Sequence, residues 1–387
     1  MRIRAIETHI VGAGWKNWLF VRVRTDEGIE GLGEGTLNGF ARTTETAVQE
    51  LEQLAVGEDP TRIAQLTQRL YERVSNDGGH IHKTAIAAIE IACWDILGKS
   101  LDAPIHQLLG GRVRDSVLGY ANGWYRTERT PEAIVAAAED AVERGFTALK
   151  LDPFGTAQGI LSSSELTLAF DIVSGLRERF GPELRILIDV HARLTETDAV
   201  LAAERLAPLD LFWWEEPTSR ERIPPTNAVA ARCPVRVATG ETFHTIGQFM
   251  DLTLGGGVSI FQPEPMSLGG IGNTIAVAGL ARGAGAWIAP HQSGGPVATA
   301  VCLQLAACVP NFLIQEHFDP FNEPWTYDLT SWRPTIDSRT GHLSLPDGPG
   351  LGLELNLDVA AAHPYDAAAY LDVHSEGWER RLGAQRG

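Results

Sequence analysis

Cysteine is scarce and unpatterned in this 387-residue chain: Cys93, Cys233, Cys302 and Cys308 lie far apart or within apolar stretches, with no CxxC pair. That excludes a disulfide framework and a thiolate metal centre, and suits a reducing cytoplasm. Long hydrophobic runs are missing too, since no segment approaches the roughly 18 uninterrupted apolar residues of a membrane span. The opening MRIRAIETHI alternates like a strand and has neither the apolar core nor the cleavage site of a signal peptide, so a cytoplasmic location is expected. Positive charge is also in short supply. A formal net charge of −17 argues against nucleic acid and anionic membranes as partners, because both need a basic footprint. An anionic small molecule would have to be held locally, by a bound cation and a few Lys, His or Arg side chains. There is no GxxxxGK[ST] phosphate loop and no GxSxG nucleophile elbow. GGIGNT at 269–274 lacks the third glycine of a dinucleotide fingerprint, where Ile275 stands. It reads as a close-packing turn before a helix, although such turns also bind anions.

What is present is a rhythm. Seven strand-like segments end in charged side chains: Lys150, Asp189 with His191, Glu215 with Glu216, Glu241, Glu264, His291 and Glu316. Counted from the numbering, the steps are 39, 26, 26, 23, 27 and 25 residues, each enough for a strand, a helix and two short loops. Chemistry at the carboxyl ends of successive strands is how a (β/α)₈ barrel builds its site. Strands such as RILID and VSIFQ are apolar runs, as parallel strands buried on both faces should be. Thr130-Pro131-Glu132 reads as a helix N-terminus with Gly145 as its stop, and 164–180 repeats the scheme with Gly181.

The chain exceeds the roughly 250 residues of a bare barrel. Residues 2–35 alternate as strands with a hairpin turn at Asp26-Glu27-Gly28, and helices are expected near 43–56, 61–74 and 83–98. The last, KTAIAAIEIACWDILG, is apolar nearly all round and should be buried. The expected fold class is therefore α/β, a modified (β/α)₈ barrel over residues 116–320 with an α+β capping domain. That domain is formed by residues 1–115 and completed by the tail, 321–387, which has a hairpin at 338–341 and a late helix.

Asp189, Glu215 and Glu241 are the metal candidates. One acid at a strand end is more often an ordinary loop acid or the partner of a buried base. Three at even spacing would repel one another strongly without a cation, and all-oxygen ligands favour Mg²⁺ over zinc. Spacing does not choose between Glu215 and Glu216; the unused one should make a structural hydrogen bond. His191 points into the same mouth as Asp189, two residues earlier, and Lys150 and Asp152 are related likewise. Lys150 is either a catalytic cation or a structural one neutralising the acids. His291, preceded one strand earlier by Glu264, reads as an imidazole whose tautomer a carboxylate fixes. Trp15, Lys16 and Asn17 in the first loop, and His80, His82 and Lys83 in NDGGHIHK, either line the pocket or belong to solvated loops. Asp152, Arg193, Trp15, His80, His82 and His317 are the candidate substrate contacts.

TDEGIEGLGEG, AIAAIEIACWDILGK, LLGGRVRD at 108–115, LIDVHARL, WWEEP, TGE, FQPE, APH and PDGPGLGLE together resemble the enolase superfamily, in its mandelate racemase group. The likeness spans nearly the whole chain and is greatest to the sugar-acid dehydratases, galactonate dehydratases among them. The resemblance implies one Mg²⁺ per subunit on Asp189, Glu215 and Glu241, which favours Glu215 over Glu216. It implies a His291–Glu264 dyad, an electrophilic Glu316, a DxH pair in Asp189 and His191, and a homo-oligomer acting on a small carboxylate. The implied reaction is loss of water from a 2,3-dihydroxy acid. Racemisation, epimerisation or cycloisomerisation through the same enediolate is the alternative, and a barrel turned binding protein is a further one. Two departures stand out: Glu264 replaces the usual Asp, and Lys150–x–Asp152 replaces the two lysines of the racemases.

Overall fold

The computed structural model describes residues 1–74 and 78–381, so Asn76 and Asp77 of NDGGHIHK lie outside the described residues. Strands β1 (Ile3–Gly12), β2 (Asn17–Thr25) and β3 (Glu30–Glu34) form an antiparallel sheet in chain order. Helices α1 (Ala41–Ala55), α2 (Ile63–Glu72) and α3 (Gly79–Ser100) cover it. α3 begins four residues before the expected start, which puts His80 and His82 on its first turn rather than in a loop. Its AIAAIEIAC stretch is buried throughout. Glycine explains how the sheet gets so close: a Cβ at Gly31 or Gly33 would lie 2.0 Å from the carbonyl oxygens of Ala92 or Ala88. The short α4 (Ile105–Leu108) then leads into the second unit.

That unit is built on eight parallel strands: β4 (Ser116–Ala121), β5 (Ala148–Leu151), β6 (Arg185–Asp189), β7 (Leu211–Glu215), β8 (Val237–Thr239), β9 (Ile260–Phe261), β10 (Trp287–Ile288) and β11 (Gln315–His317). They pair in the order β10-β9-β8-β7-β6-β5-β4-β11. A parallel bridge from Ile288 to Phe312, with the Leu313 amide donating to Ile288 at 2.8 Å, joins β10 to the stretch entering β11 and closes the ring. Helices α5 (Pro131–Glu143), α6 (Ser163–Phe180), α7 (Glu196–Leu206), α8 (Ile223–Ala230), α9 (Ile246–Gly255), α10 (Ile271–Gly283) and α11 (Pro296–Cys308) follow β4 to β10 in turn. Thr130 caps α5 through the Ala133 amide, and Ser162 and Glu165 form a capping box on α6. β11 is followed instead by 3₁₀ turns, so the barrel is seven βα units and a last strand.

The barrel floor decides where the chemistry can sit. Tyr120, Ala148, Leu187, Trp213, Ala238, Ile260, Ala289 and Ile314 pack together inside it, with Tyr120 and Trp213 edge to face at 5.3 Å. Side chains of a strand return to the same face every second residue. Two residues beyond these floor positions stand Asn122, Lys150, Asp189, Glu215, Gly240, Gln262, His291 and Glu316, a polar layer on an apolar plug.

The tail comes back. β12 (His342–Ser344) pairs antiparallel with β4, after a tight turn in which Gly341 donates to Asp337. α12 (Leu357–Ala362) follows, and the Gly12 amide donates to the His363 carbonyl at 3.0 Å. The Asn17 amide then donates to the carbonyls of Asp366 and Ala369. All four cysteines are free thiols, two of them buried. Among the described residues no helix is long and apolar enough to cross a membrane.

Candidate active site

A cavity of about 540 Å³ opens above the polar layer, between barrel and capping unit. Lys150 stands at its centre, 1% exposed, with its ammonium 2.9 Å from Asp189, 2.5 Å from Glu215 and 3.2 Å from Glu316. Burial works against that charge, but the three carboxylates outweigh it and hold Lys150 protonated. One oxygen each of Asp189, Glu215 and Glu241 lies within 4.8 Å of the others. Glu216 is not part of this group. It accepts from the Thr239 hydroxyl at 2.6 Å and the Gly240 amide at 2.8 Å, so it fastens β7 to β8.

Two imidazoles approach the carboxylates from different strands. His191 Nδ1 is 2.6 Å from Asp152, and its Nε2 is 3.5 Å from Asp189. His291 Nδ1 is 2.7 Å from Glu264, and its Nε2 is 3.6 Å from Glu241. The longer Glu264 side chain therefore still reaches its histidine. Each Nδ1–H is committed to a carboxylate, which leaves Nε2 to face the cavity. Burial disfavours the charged form of His291, yet Glu241, Glu316 and Glu264 hold it up at about 9. His191 and Ala192 sit in left-handed backbone, φ +50° and +59°. Such positions cost on the order of 1–3 kcal/mol and persist only where the surroundings enforce them. Here the His191 amide donates to Asp189 and the Ala192 amide to the Glu216 carbonyl, both at 2.8 Å.

The donor set fits a hard divalent cation. All three candidate ligands are carboxylates. Asp189, Glu215, Glu241, Glu264 and Glu316 outnumber the cations Lys150, Lys16, Arg220 and His291 around the same cavity. Burial drives Glu215 upward, with Asp189, Glu316 and Glu241 adding to the push against Lys150. A cation would relieve that shortage of positive charge in the layer.

The remaining expected residues separate cleanly. Trp15 and His80 line the cavity, His80 stacked on His244 at 5.3 Å and drawn down to about 4 by burial and by His244 and Arg220. Asp152 and Arg193 are buried behind His191, Arg193 bonding Asp152, so both support the imidazole rather than face the cavity. His82 is turned against Tyr71 and is not in the cavity wall. His317 follows Glu316 on β11, so alternation sends it outward, where it is buried near Phe146. Neither His82 nor His317 is placed to touch a ligand there. Glu316 accepts from Asn122 at 2.7 Å, from the Gln292 amide at 2.8 Å and from Lys150. These three donors fix the Glu316 carboxyl beside Lys150.

Two further cations stand around the cavity: Arg220, which carried no signal in the sequence, and Lys16 of the first loop. Arg220 bridges Glu216 and Glu241, at 3.4 and 2.7 Å. Lys16 is buried, bonds the Ser293 carbonyl and hydroxyl, and is pulled down by burial to about 8. Two capping-unit carboxylates reach across to start barrel helices. Glu34 accepts from the Gly295 and Ala298 amides at α11, at 2.6 and 2.9 Å. Glu90 accepts from the Ile271 and Gly272 amides at α10, at 3.0 and 2.9 Å. The glycine turn at 269–274 does take up a carboxyl group, the chain's own Glu90, which burial pushes up to about 7.

Residues 2–110 match the mandelate racemase/muconate lactonizing enzyme N-terminal domain, and 133–359 the enolase C-terminal domain-like family. The chain belongs to the enolase superfamily. Among curated relatives, D-galactonate dehydratase of Pectobacterium atrosepticum is 34% identical over 347 residues, 88% of this chain and 90% of that one. That of Verminephrobacter eiseniae is 34% identical over 361 residues, 92% of each. A solved structure described as a dehydratase from Mesorhizobium loti superposes with a TM-score of 0.88 at 29% identity, covering 95% of this chain and 99% of that one. A mandelate racemase/muconate lactonizing enzyme from Jannaschia gives 0.87 at 30% identity, covering 95% and 98%.

Proposed function

We propose that the chain is a magnesium-dependent hydro-lyase of an acid sugar. It removes the proton at C2, next to the carboxylate, and expels the 3-hydroxyl to leave a 2-keto-3-deoxy acid. The observation that carries this reading is the pair of imidazoles, each with Nδ1 on a carboxylate and Nε2 turned to the Asp189–Glu215–Glu241 group. Relatives named as D-galactonate dehydratases, similar along nearly their whole length, support it.

An α-proton next to a carboxylate is hard to remove because charge accumulates on the carboxylate oxygens. A magnesium ion held by Asp189, Glu215 and Glu241 would bind that carboxylate and offset the charge. Lys150 adds a buried ammonium beside the Asp189 and Glu215 oxygens. His291 takes the C2 proton at Nε2 while Glu264 holds its Nδ1 proton. His191 gives a proton from Nε2 to the departing 3-hydroxyl while Asp152 holds its other nitrogen. A substrate of opposite C2 configuration exchanges the two roles. Glu316 keeps Lys150 and Asn122 in place as an acceptor.

D-galactonate is the first compound to test, within a panel of mono- and diacid sugars assayed for 2-keto acid. His291→Asn should abolish turnover while circular dichroism and calorimetric Mg²⁺ binding stay as in the wild type. A variant turning over at nearly the wild-type rate removes His291 from the mechanism. An epimerase would use the same two groups to return the proton to the other face. In D₂O it gives deuterated substrate and no keto acid, which separates the two.

A further inference from the structure

We propose that Trp378, carried on the C-terminal segment, is a positioning residue for His191, so that the end of the chain is part of the machinery of elimination. The proposal rests on the reading of His191 as proton donor to the leaving hydroxyl. Residues 366–380 lie across the mouth of the barrel. Asn17 and Asn38 tie their start to the capping unit, Asn38 donating to the Leu371 carbonyl at 2.9 Å. Further on, His374 Nδ1 is 2.8 Å from the Gln158 amide in the loop after β5, and Arg380 donates to Glu128 in the loop after β4 at 2.8 Å. Between these ties Tyr370, Asp372 and His374 line the cavity.

Trp378 is 1% exposed and does two things at once. Its ring meets the His191 ring at 5.4 Å and 86°, edge to face. Its indole N–H donates to the Gly155 carbonyl at 3.2 Å, the same carbonyl that accepts from Arg193. Arg193 in turn bonds Asp152, and Asp152 holds His191 Nδ1. The contacts therefore form a closed loop: indole, Gly155, Arg193, Asp152, imidazole and back to the indole. His191 needs such support because its own backbone is left-handed and is not held there by an intrinsic preference. Among the described residues the other imidazole has no counterpart from the tail; Glu264, which orients it, is itself held by the Met266 amide at 3.2 Å. Trp378 should thus act on the proton delivered to the hydroxyl and not on the proton taken from C2.

The test uses Trp378→Phe, which keeps a ring and loses the indole donor, and Trp378→Ala, which loses both. Two reactions are followed with the acid sugar identified in the panel: keto acid formation, and C2–H exchange into D₂O with its 3-deoxy analogue, which cannot eliminate. A small misplacement of a reacting group can cost up to about a hundredfold, so kcat for elimination should fall roughly tenfold in the Phe variant and roughly a hundredfold in the Ala variant. KM and the exchange rate should stay at wild-type values, and retained exchange also shows that the variants are folded. Parallel loss of exchange and elimination, or a raised KM with unchanged kcat, overturns the proposal. His191→Asn serves as the reference, expected to lose elimination and keep exchange. If it eliminates at nearly the wild-type rate, the reading of His191 as donor fails, and the role of Trp378 falls with it.

Discussion

Replacing Glu264 by Gln tests the base most directly. The carboxylate sits 2.7 Å from His291 Nδ1, and together with Glu241 and Glu316 it holds the imidazole up at about 9 despite burial. A bound cation would cancel part of the pull from Glu241, but not the part from Glu264, which is not among the candidate ligands. A hydrogen bond to a charged group contributes roughly 1.5–3 kcal/mol. At 1.36 kcal/mol per pH unit, its loss should lower the proton affinity of His291 by about 1–2 units. The sign follows from the role: a base works only when neutral, so the acid limb of kcat/KM moves to lower pH in Glu264→Gln. The plateau rate falls as well, because the weaker base drives proton transfer less. Glu264→Asp retracts the carboxylate by one methylene, about 1.5 Å, and should shift the limb in the same direction. The assay is a pH series of kcat/KM at saturating Mg²⁺, with kcat followed in parallel. An acid limb unmoved in Glu264→Gln would mean that Glu264 does not tune the catalytic base, and the proposed dyad would have to be abandoned.

Chelation should remove activity and Mg²⁺ should restore it. Saturation at 100 times Kd should raise the stability of the folded state by about 2.7 kcal/mol, read as an increase in Tm. Absence of any Mg²⁺-dependent shift would argue against the carboxylate site. Lys150→Met strands Asp189, Glu215 and Glu316 without their ammonium, a loss of roughly 3–5 kcal/mol for a broken buried ion pair. Because a cation would neutralise two of those three, the variant should gain more from Mg²⁺ than the wild type does; an equal or smaller gain in Tm would refute this. Glu34→Ala leaves the Gly295 and Ala298 amides buried without their acceptor, at about 1–3 kcal/mol each. Urea unfolding should show that loss, and a change within about 0.5 kcal/mol would mean that the contact across the two units is not stabilising.

The barrel was legible because its signal is local. Each strand announces itself as an apolar run, and the period of two residues carries the plug residues Leu187, Trp213 and Ala289 onto Asp189, Glu215 and His291. The same period, applied to β11, already argues that His317 cannot share the mouth with Glu316, and the expectation that it contacts substrate overlooked that. Asp152 shows a subtler limit. Alternation correctly puts it on the side of Lys150, but only the positive φ at His191 turns the imidazole back to meet it, and that backbone state is not written in the residue types.

What could not be read is what crosses between the units. Glu34 and Gly295 are 261 positions apart, and Glu90 and Ile271 are 181. Neither carboxylate has a periodicity that marks it: Glu34 shares the five-residue β3 with Glu30, and Glu90 shares α3 with Asp95. Yet their placement is physically economical. A helix start inside the molecule leaves amides without acceptors, and a carboxylate from the neighbouring unit satisfies them where water cannot. α11 begins five residues after His291, and α10 seven residues after Glu264. The two acids that join the capping unit to the barrel therefore fix the helices next to both members of the dyad. Docking of the units and alignment of the base are in this way one set of contacts, so variants at Glu34 or Glu90 should lose stability and His291-dependent exchange together.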